Sequence, residues 1–197
     1  MSAVKKKKRH KSSFLPSISA ILIMAAISIV SGMIIGNLIE KGEKKMYPKK
    51  YAEYVSVCAA RYSVPEEIIY AVIRTESKFN PKAESHAGAV GLMQITPDTY
   101  SWLLFKRGEE KTHELTDPYT NIEFGTYFLS YLFNKFGDWD AVFAAYNAGV
   151  NRVNEWLSDV RYSKDGRLTD IPYTETKNYV KKVNNAINKY KKIYDIN

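Results

Sequence analysis

Ser12 to Ile39 is a run of 28 residues without a single charge. Its centre, Ile21 to Val30, reads Ile-Leu-Ile-Met-Ala-Ala-Ile-Ser-Ile-Val, and Met33, Ile34 and Ile35 follow. A bilayer core of about 30 Å takes about 20 apolar residues at 1.5 Å each, so the run is long enough to span. The other home for a helix that is apolar all round is a large protein core, and the roughly 150 residues that follow are too few to surround one. A cleaved signal peptide is the plainer alternative. Its apolar region would be about 7 to 15 residues, followed by a small-x-small cleavage site. This run is longer, and Ser31-Gly32-Met33 is a poor site. We therefore expect an uncleaved anchor.

Charge gives the anchor a direction. Lys5, Lys6, Lys7, Lys8, Arg9 and Lys11 precede the run, and the first acid in the chain is Glu40. Cationic flanks stay on the cytoplasmic side, so the tail is expected inside and the bulk of the chain outside the cell membrane, in a single pass. The net charge is +8, but those six cations account for most of it: 23 cations face 21 acids in the rest. A basic excess confined to a tail does not make a nucleic-acid-binding face, and no nucleic-acid partner is expected. One cysteine excludes a disulfide framework, and His10, His86 and His113 are scattered without ligand spacing. No metal and no cofactor are expected. The organisation read from these shifts is a cytoplasmic basic tail over residues 1–11, a transmembrane anchor over 12–39, a linker over 40–50 and a folded domain over 51–197.

The folded domain has helical periodicity throughout. Tyr51, Val55, Cys58 and Tyr62 share one face of a first helix, which makes Cys58 a small core residue rather than a nucleophile. Ser63-Val64-Pro65-Glu66 has capping-box spacing and is expected to open a second helix that stops before Asn80-Pro81. Thr96-Pro97 and Asp117-Pro118 look like further helix starts. The latter leads a long helix with Ile122, Gly125, Leu129, Leu132, Phe133 and Phe136 on one side, ended by Gly137. Asp138 is placed to cap the next helix, which carries Trp139, Val142, Phe143 and Tyr146, with Gly149 near its end. Thr174 begins a last helix whose Tyr179, Val183, Ala186 and Tyr190 face one way. No stretch alternates with period 2 for long, so the expected class is all-α.

Most of the acids have structural explanations: Asp117 and Asp138 as caps, Glu66 and Glu67 in a first turn where the helix dipole favours negative charge. Glu76 differs. Ile69, Val72, Ile73 and Glu76 are spaced i, i+3, i+4, i+7, so the glutamate continues an apolar stripe near a helix C-terminus. Burial disfavours the carboxylate, and the negative end of the helix dipole pushes the same way. A carboxyl protonated near neutral pH is what a general acid needs to protonate a glycosidic oxygen. A buried glutamate satisfied by hydrogen bonds, or one that reaches water at the helix end, would give the same spacing.

Three further groups stand out. Gly88-Ala89-Val90-Gly91-Leu92-Met93-Gln94 has glycines that let backbone approach a ligand and an amide that both donates and accepts, although a tight turn would look alike. Ala144-Ala145-Tyr146-Asn147-Ala148-Gly149 places a phenol and an amide at a helix end. Ile171-Pro172-Tyr173 precedes Tyr179-Val180. Together with Glu76-Ser77, and in this order and spacing, the groups closely resemble the lytic transglycosylases of the SLT type, from about Tyr51 to Tyr190. The resemblance implies a lysozyme-like helical domain, peptidoglycan glycan strands as substrate, and Glu76 as catalytic acid and base. It implies contacts to substrate or to Glu76 at Ser85, Gln94, Tyr146, Asn147 and Tyr179. Ser77 competes with Ser85 for the serine's role and could be mainly structural.

Hydrolytic glycosidases usually flank the bond with two carboxylates, and no second acid accompanies Gln94 or Tyr146. That fits a substrate-assisted route, and the resemblance itself implies a lyase that cleaves the MurNAc-GlcNAc β-1,4 bond, aided by the sugar's own N-acetyl group, and leaves 1,6-anhydro-MurNAc ends. Two alternatives stay open on sequence alone: a muramidase that uses water on the same fold, and an inactive, membrane-tethered peptidoglycan-binding protein.

Overall fold

The computed structural model describes residues 17–110 and 113–196. The basic tail, and the start of the charge-free run, lie outside the described residues. The chain forms two units, residues Met1–Lys45 and Met46–Asn197. The first holds most of helix α1 (Ile18–Met46), which has no buried residue. It is long and apolar enough to cross a membrane, and its side chains expose Ile, Leu, Met and Val all round. The helix runs on through residues 40–46, which the sequence had assigned to a linker.

The second unit contains α2 (Ala52–Tyr62), α3 (Glu66–Ser77), α4 (Pro97–Arg107), α5 (Pro118–Phe136), α6 (Trp139–Ala148), α7 (Val150–Ser158) and α8 (Thr174–Tyr194), with a two-strand hairpin of β1 (Ser163–Lys164) and β2 (Arg167–Leu168). The all-α expectation holds. α3 is the central helix: every residue from Glu67 to Ile73 is buried. α8 and α2 pack on it, α5 joins α2 to α6, and α6 closes against α7 and α8.

Local chemistry starts and stops these helices where the sequence indicated. Thr96 Oγ1 accepts from the Thr99 amide, Asp117 from Thr120 and Asp138 from Ala141, so each fills an otherwise orphaned N–H of a first turn. Gly137 ends α5 at φ 64°, a conformation that glycine adopts without a Cβ penalty. Ser63 is a correction. It does not cap α3; it sits at φ 55° and closes α2, its own N–H donating to Ala59. Pro65 occupies the N-cap position of α3 without a side-chain hydrogen bond, because its ring carries no acceptor. Helix α7 and the hairpin are additions. The hairpin turns at Asp165 and Gly166, both at positive φ as a two-residue primed turn requires, and its strands are too short to alternate visibly.

The segment after α1 is fastened down in the second unit. Tyr194 Oη donates to the Tyr47 carbonyl (2.8 Å), Tyr190 Oη to Pro48 (3.1 Å) and Arg74 Nε to Met46 (2.9 Å). Tyr190 in turn stacks on Tyr70 with ring centroids 5.4 Å apart. Buried charge is matched elsewhere in the unit: Glu123 accepts from Arg61, Arg107 and Tyr62, which ties α5 to α2 and α4.

The Tyr70 hydroxyl is the exception, a buried side-chain polar atom with no hydrogen-bond partner among the described residues. An unsatisfied buried hydroxyl costs about 1–3 kcal/mol. Tyr70→Phe removes that cost and keeps the ring stack, so it should leave stability unchanged or raise it by about 1 kcal/mol, a Tm increase of roughly 2–4 °C in a thermal melt. A marked drop in Tm would mean that the hydroxyl has a partner.

Candidate active site

Glu76 lies on the last turn of α3. Ile69, Val72 and Ile73 on its stripe are fully buried, and Glu76 itself is half-buried. The helix cannot continue past Ser77 because Lys78 and Phe79 both take left-handed conformations, at φ 51° and 65°. The chain turns sharply there, and Glu76 faces the N-terminal part of α8. Tyr179, on α8, donates its Oη to Glu76 Oε1 at 2.6 Å.

Burial raises the Glu76 carboxyl from the ordinary 4.5 to about 7, the Tyr179 hydrogen bond opposing the rise in part. No second carboxylate contributes to that balance. The effect is mutual. Burial first, and then the nearby charge of Glu76, push the phenols of Tyr179 and Tyr146 well above their usual range. Both therefore stay protonated and act as hydrogen-bond donors. Tyr146, at the end of α6, donates to the Met93 carbonyl at 2.8 Å and packs its ring on Phe128, centroids 5.2 Å apart.

The loop opposite Glu76 is held by main-chain and side-chain bonds. Ser77 Oγ donates to the Leu92 carbonyl (2.7 Å), so the serine beside Glu76 has a positioning task. Val90 exchanges backbone bonds with Ile95. Gln94 sits at φ 51° and donates its amide nitrogen to Ala83 (3.1 Å) and Gly91 (3.0 Å). Asn147 Oδ1 accepts from Thr176 Oγ1 (2.8 Å), which pins the end of α6 to the first turn of α8. Ser85 closes its own turn, accepting from the Ala89 amide at 3.0 Å. Thus Tyr179 touches Glu76 directly, and Tyr146 lies within reach of its charge. Gln94 and Asn147 brace the surrounding loop and helix ends, while Ser85 is bonded only within the turn that leads into that loop.

Asn121 and Gly125, on α5, belong to the same assembly. Asn121 is fully buried and accepts from the Met93 amide at 2.7 Å. Gly125 gives room to Met93: a Cβ there would come within 2.3 Å of the Met93 sulfur. Gly91, at φ 83°, is needed for two reasons, since a Cβ would also collide with Asn121 and the Leu115 carbonyl. The signal for Asn121 was present in the sequence. Asn121, Gly125, Phe128 and Leu132 are spaced as one helical face, so a polar residue leads an apolar stripe just as Glu76 ends one.

A groove of about 470 Å³ runs along another flank of α8, lined by Asp140, Asp170, Lys177, Lys181 and Asn184. At 3.6 residues per turn its α8 residues point away from Tyr179. Asp170 is held below the usual carboxyl range by Lys177 and stays ionised, so it cannot act as an acid near neutral pH. Glu76, rather than this groove, is therefore the candidate acid, on chemistry rather than on volume.

The family described as "Transglycosylase SLT domain" matches residues 53–168. The soluble lytic murein transglycosylase of Escherichia coli (strain K12) is 37% identical over 161 residues, covering 78% of this chain and 25% of that protein. The membrane-bound lytic murein transglycosylase C of Haemophilus influenzae (strain PittEE) is 32% identical over 190 residues, covering 84% of this chain and 52% of that protein. Among solved structures, the 70 kDa soluble lytic transglycosylase of Escherichia coli aligns with a TM-score of 0.70 and 32% identity, over 84% of this chain and 28% of that one. An inactive glutamate-to-glutamine mutant of the lytic transglycosylase Slt of Pseudomonas aeruginosa aligns with a TM-score of 0.68 and 32% identity, over 76% of this chain and 25% of that one. The chain thus spans about a quarter of the soluble relatives and about half of the membrane-bound one.

The titration of Glu76 predicts a stability signature. Its proton is held more tightly in the folded chain, at about 7, than in an unfolded one at 4.5. The contribution is complete below 4.5 and is lost as pH rises through 7, on the order of 3 kcal/mol at ~1.4 kcal/mol per unit. Glu76→Gln cannot ionise. Relative to wild type its Tm should rise between pH 4 and pH 8, and parallel Tm curves would mean that Glu76 titrates normally. Gly125→Ala tests the loop. Overpacking against Met93 should cost about 1–3 kcal/mol in a denaturant titration.

Proposed function

The chain belongs to the transglycosylase SLT family, and from that premise we propose that it is a membrane-anchored peptidoglycan lytic transglycosylase with Glu76 as its acid and base. The observation that carries the reading is the state of that carboxyl. Burial raises it to about 7, so a large share holds its proton at neutral pH, and its hydrogen-bond partner is a phenol; among the described residues no other carboxylate shifts its titration.

Protonated Glu76 donates to the oxygen that joins C1 of MurNAc to C4 of GlcNAc, and the C1–O bond breaks. The substrate's N-acetyl oxygen supports the electron-poor C1. The resulting Glu76 carboxylate then takes the proton of the MurNAc C6 hydroxyl. O6 bonds to C1, and a 1,6-anhydro end is left. Glu76 is protonated again, and no water is consumed. Tyr179, fixed as a donor at 2.6 Å, stabilises the carboxylate formed between the two proton transfers. Tyr146, Asn147, Gln94 and Ser85 line or brace the sugar-binding surface.

α1 anchors the enzyme in the cell membrane, with the basic tail of residues 1–11 in the cytoplasm and the helical domain on the outer side. Positive charge ahead of the span and mixed charge after it support that orientation. The glycan attacked then lies close to the membrane.

Digestion of purified cell wall followed by mass spectrometry tests the chemistry. Anhydro ends are expected. Reducing ends would make the enzyme a hydrolase, and no cleavage at all would leave a binding protein. Glu76→Gln should lower the cleavage rate at least about 100-fold, the usual scale of general acid–base catalysis. Wild-type activity should fall as pH rises through about 7, because the productive first step needs the protonated carboxyl.

A further inference from the structure

We propose that Asn121 is a positioning residue, which holds the Tyr146 phenol beside Glu76 by fixing the peptide groups of Met93. The proposal rests on the reading of Glu76 as the acid and base.

A carboxamide offers one acceptor oxygen and two N–H donors. Asn121 spends all three on main chain. Oδ1 accepts from the Met93 amide (2.7 Å), and Nδ2 donates to the carbonyls of Val90 (2.9 Å) and Leu115 (2.8 Å). The Met93 amide and the Leu92 carbonyl belong to one peptide group. Its other side accepts from Ser77 Oγ, next to Glu76. That plane is therefore gripped between the end of α3 and the first turn of α5. The next peptide group carries the Met93 carbonyl, which accepts from Tyr146 Oη (2.8 Å). The Met93 side chain has no freedom to compensate, since its sulfur fills the space left by Gly125, one turn further along α5.

An asparagine that only completed the core would need no such alignment. Here one amide sets the direction of the carbonyl that keeps Tyr146 occupied. Without that carbonyl, the buried Tyr146 hydroxyl must find another acceptor, and Glu76 lies within its electrostatic reach. A second phenol donating to Glu76 would stabilise the carboxylate and weaken the acid. Asn121 thus keeps Tyr146 from quenching the acid it stands beside.

The test is a double-mutant cycle on the full chain in detergent, with cleavage of purified cell wall as readout. Asn121→Ala should lower kcat at least about 10-fold, the scale of losing alignment at a reacting centre, and leave KM within about threefold. The upper limb of its pH profile should move to lower pH. In a Tyr146→Phe background the same substitution should cost under about threefold and should not move the limb, because the competing hydroxyl is gone. Should Asn121→Ala fail to fold, Asn121→Leu keeps the branched shape while removing the acceptor for Met93 and both donors, and the same pattern is expected. Equal losses with and without Tyr146, or an unmoved pH limb, overturn the proposal. Cleavage retained by Glu76→Gln would instead overturn the reading beneath it, so the two failures are distinguishable.

Discussion

The desolvation of one carboxyl organises this domain. A glutamate in water loses its proton near pH 4, and here removal from water keeps much of it protonated at neutral pH. Glu76 is held in that condition by burial on α3, whose middle is buried on every side, while α8 brings Tyr179 onto the carboxyl as a donor that opposes the rise in part. Moving either helix would readmit water or remove the donor. The contact between α3 and α8 is therefore both a packing interface and a proton-tuning device.

The loop between α3 and α4 is the second support. It has almost no regular structure, yet the two peptide groups on either side of Met93 each have a side-chain partner. Ser77 holds Leu92, Asn121 holds Met93, and Tyr146 reaches the Met93 carbonyl. Three helices thus grip two adjacent peptide groups. Loops that carry function are ordinarily the mobile parts of a fold, and side-chain to backbone bonds of this density are what make one rigid. The glycines serve the same end: Gly91 and Gly125 admit close approach where any Cβ would collide.

The strap after α1 meets these same helices. Tyr190 and Tyr194 of α8, and Arg74 of α3, all bond to the carbonyls of Met46, Tyr47 and Pro48. Arg74 stands two residues before Glu76 on the opposite side of the helix. Residues 46–48 are thus part of the same frame that holds the Glu76 carboxyl.

Periodicity and capping chemistry, both local properties, determined a good deal here by themselves. The apolar length of α1, the caps at Thr96, Asp117 and Asp138, the stop at Gly137 and the inward direction of Glu76 are legible because each depends on neighbours within a few residues. Ser63 shows the limit of such reasoning: a capping-box spacing was overruled because the same residue was needed to end α2. Helix α7 and the Asp165-Gly166 hairpin escaped because short elements carry too few residues to display a period. The tertiary structure alone decided which residues meet. Tyr179 stands 103 positions from Glu76, and Asn121 stands 28 from Met93. No local rule connects residues so far apart. The raised proton affinity of Glu76 likewise needed α8 in place, because burial is a property of everything that surrounds a group and not of the helix that carries it.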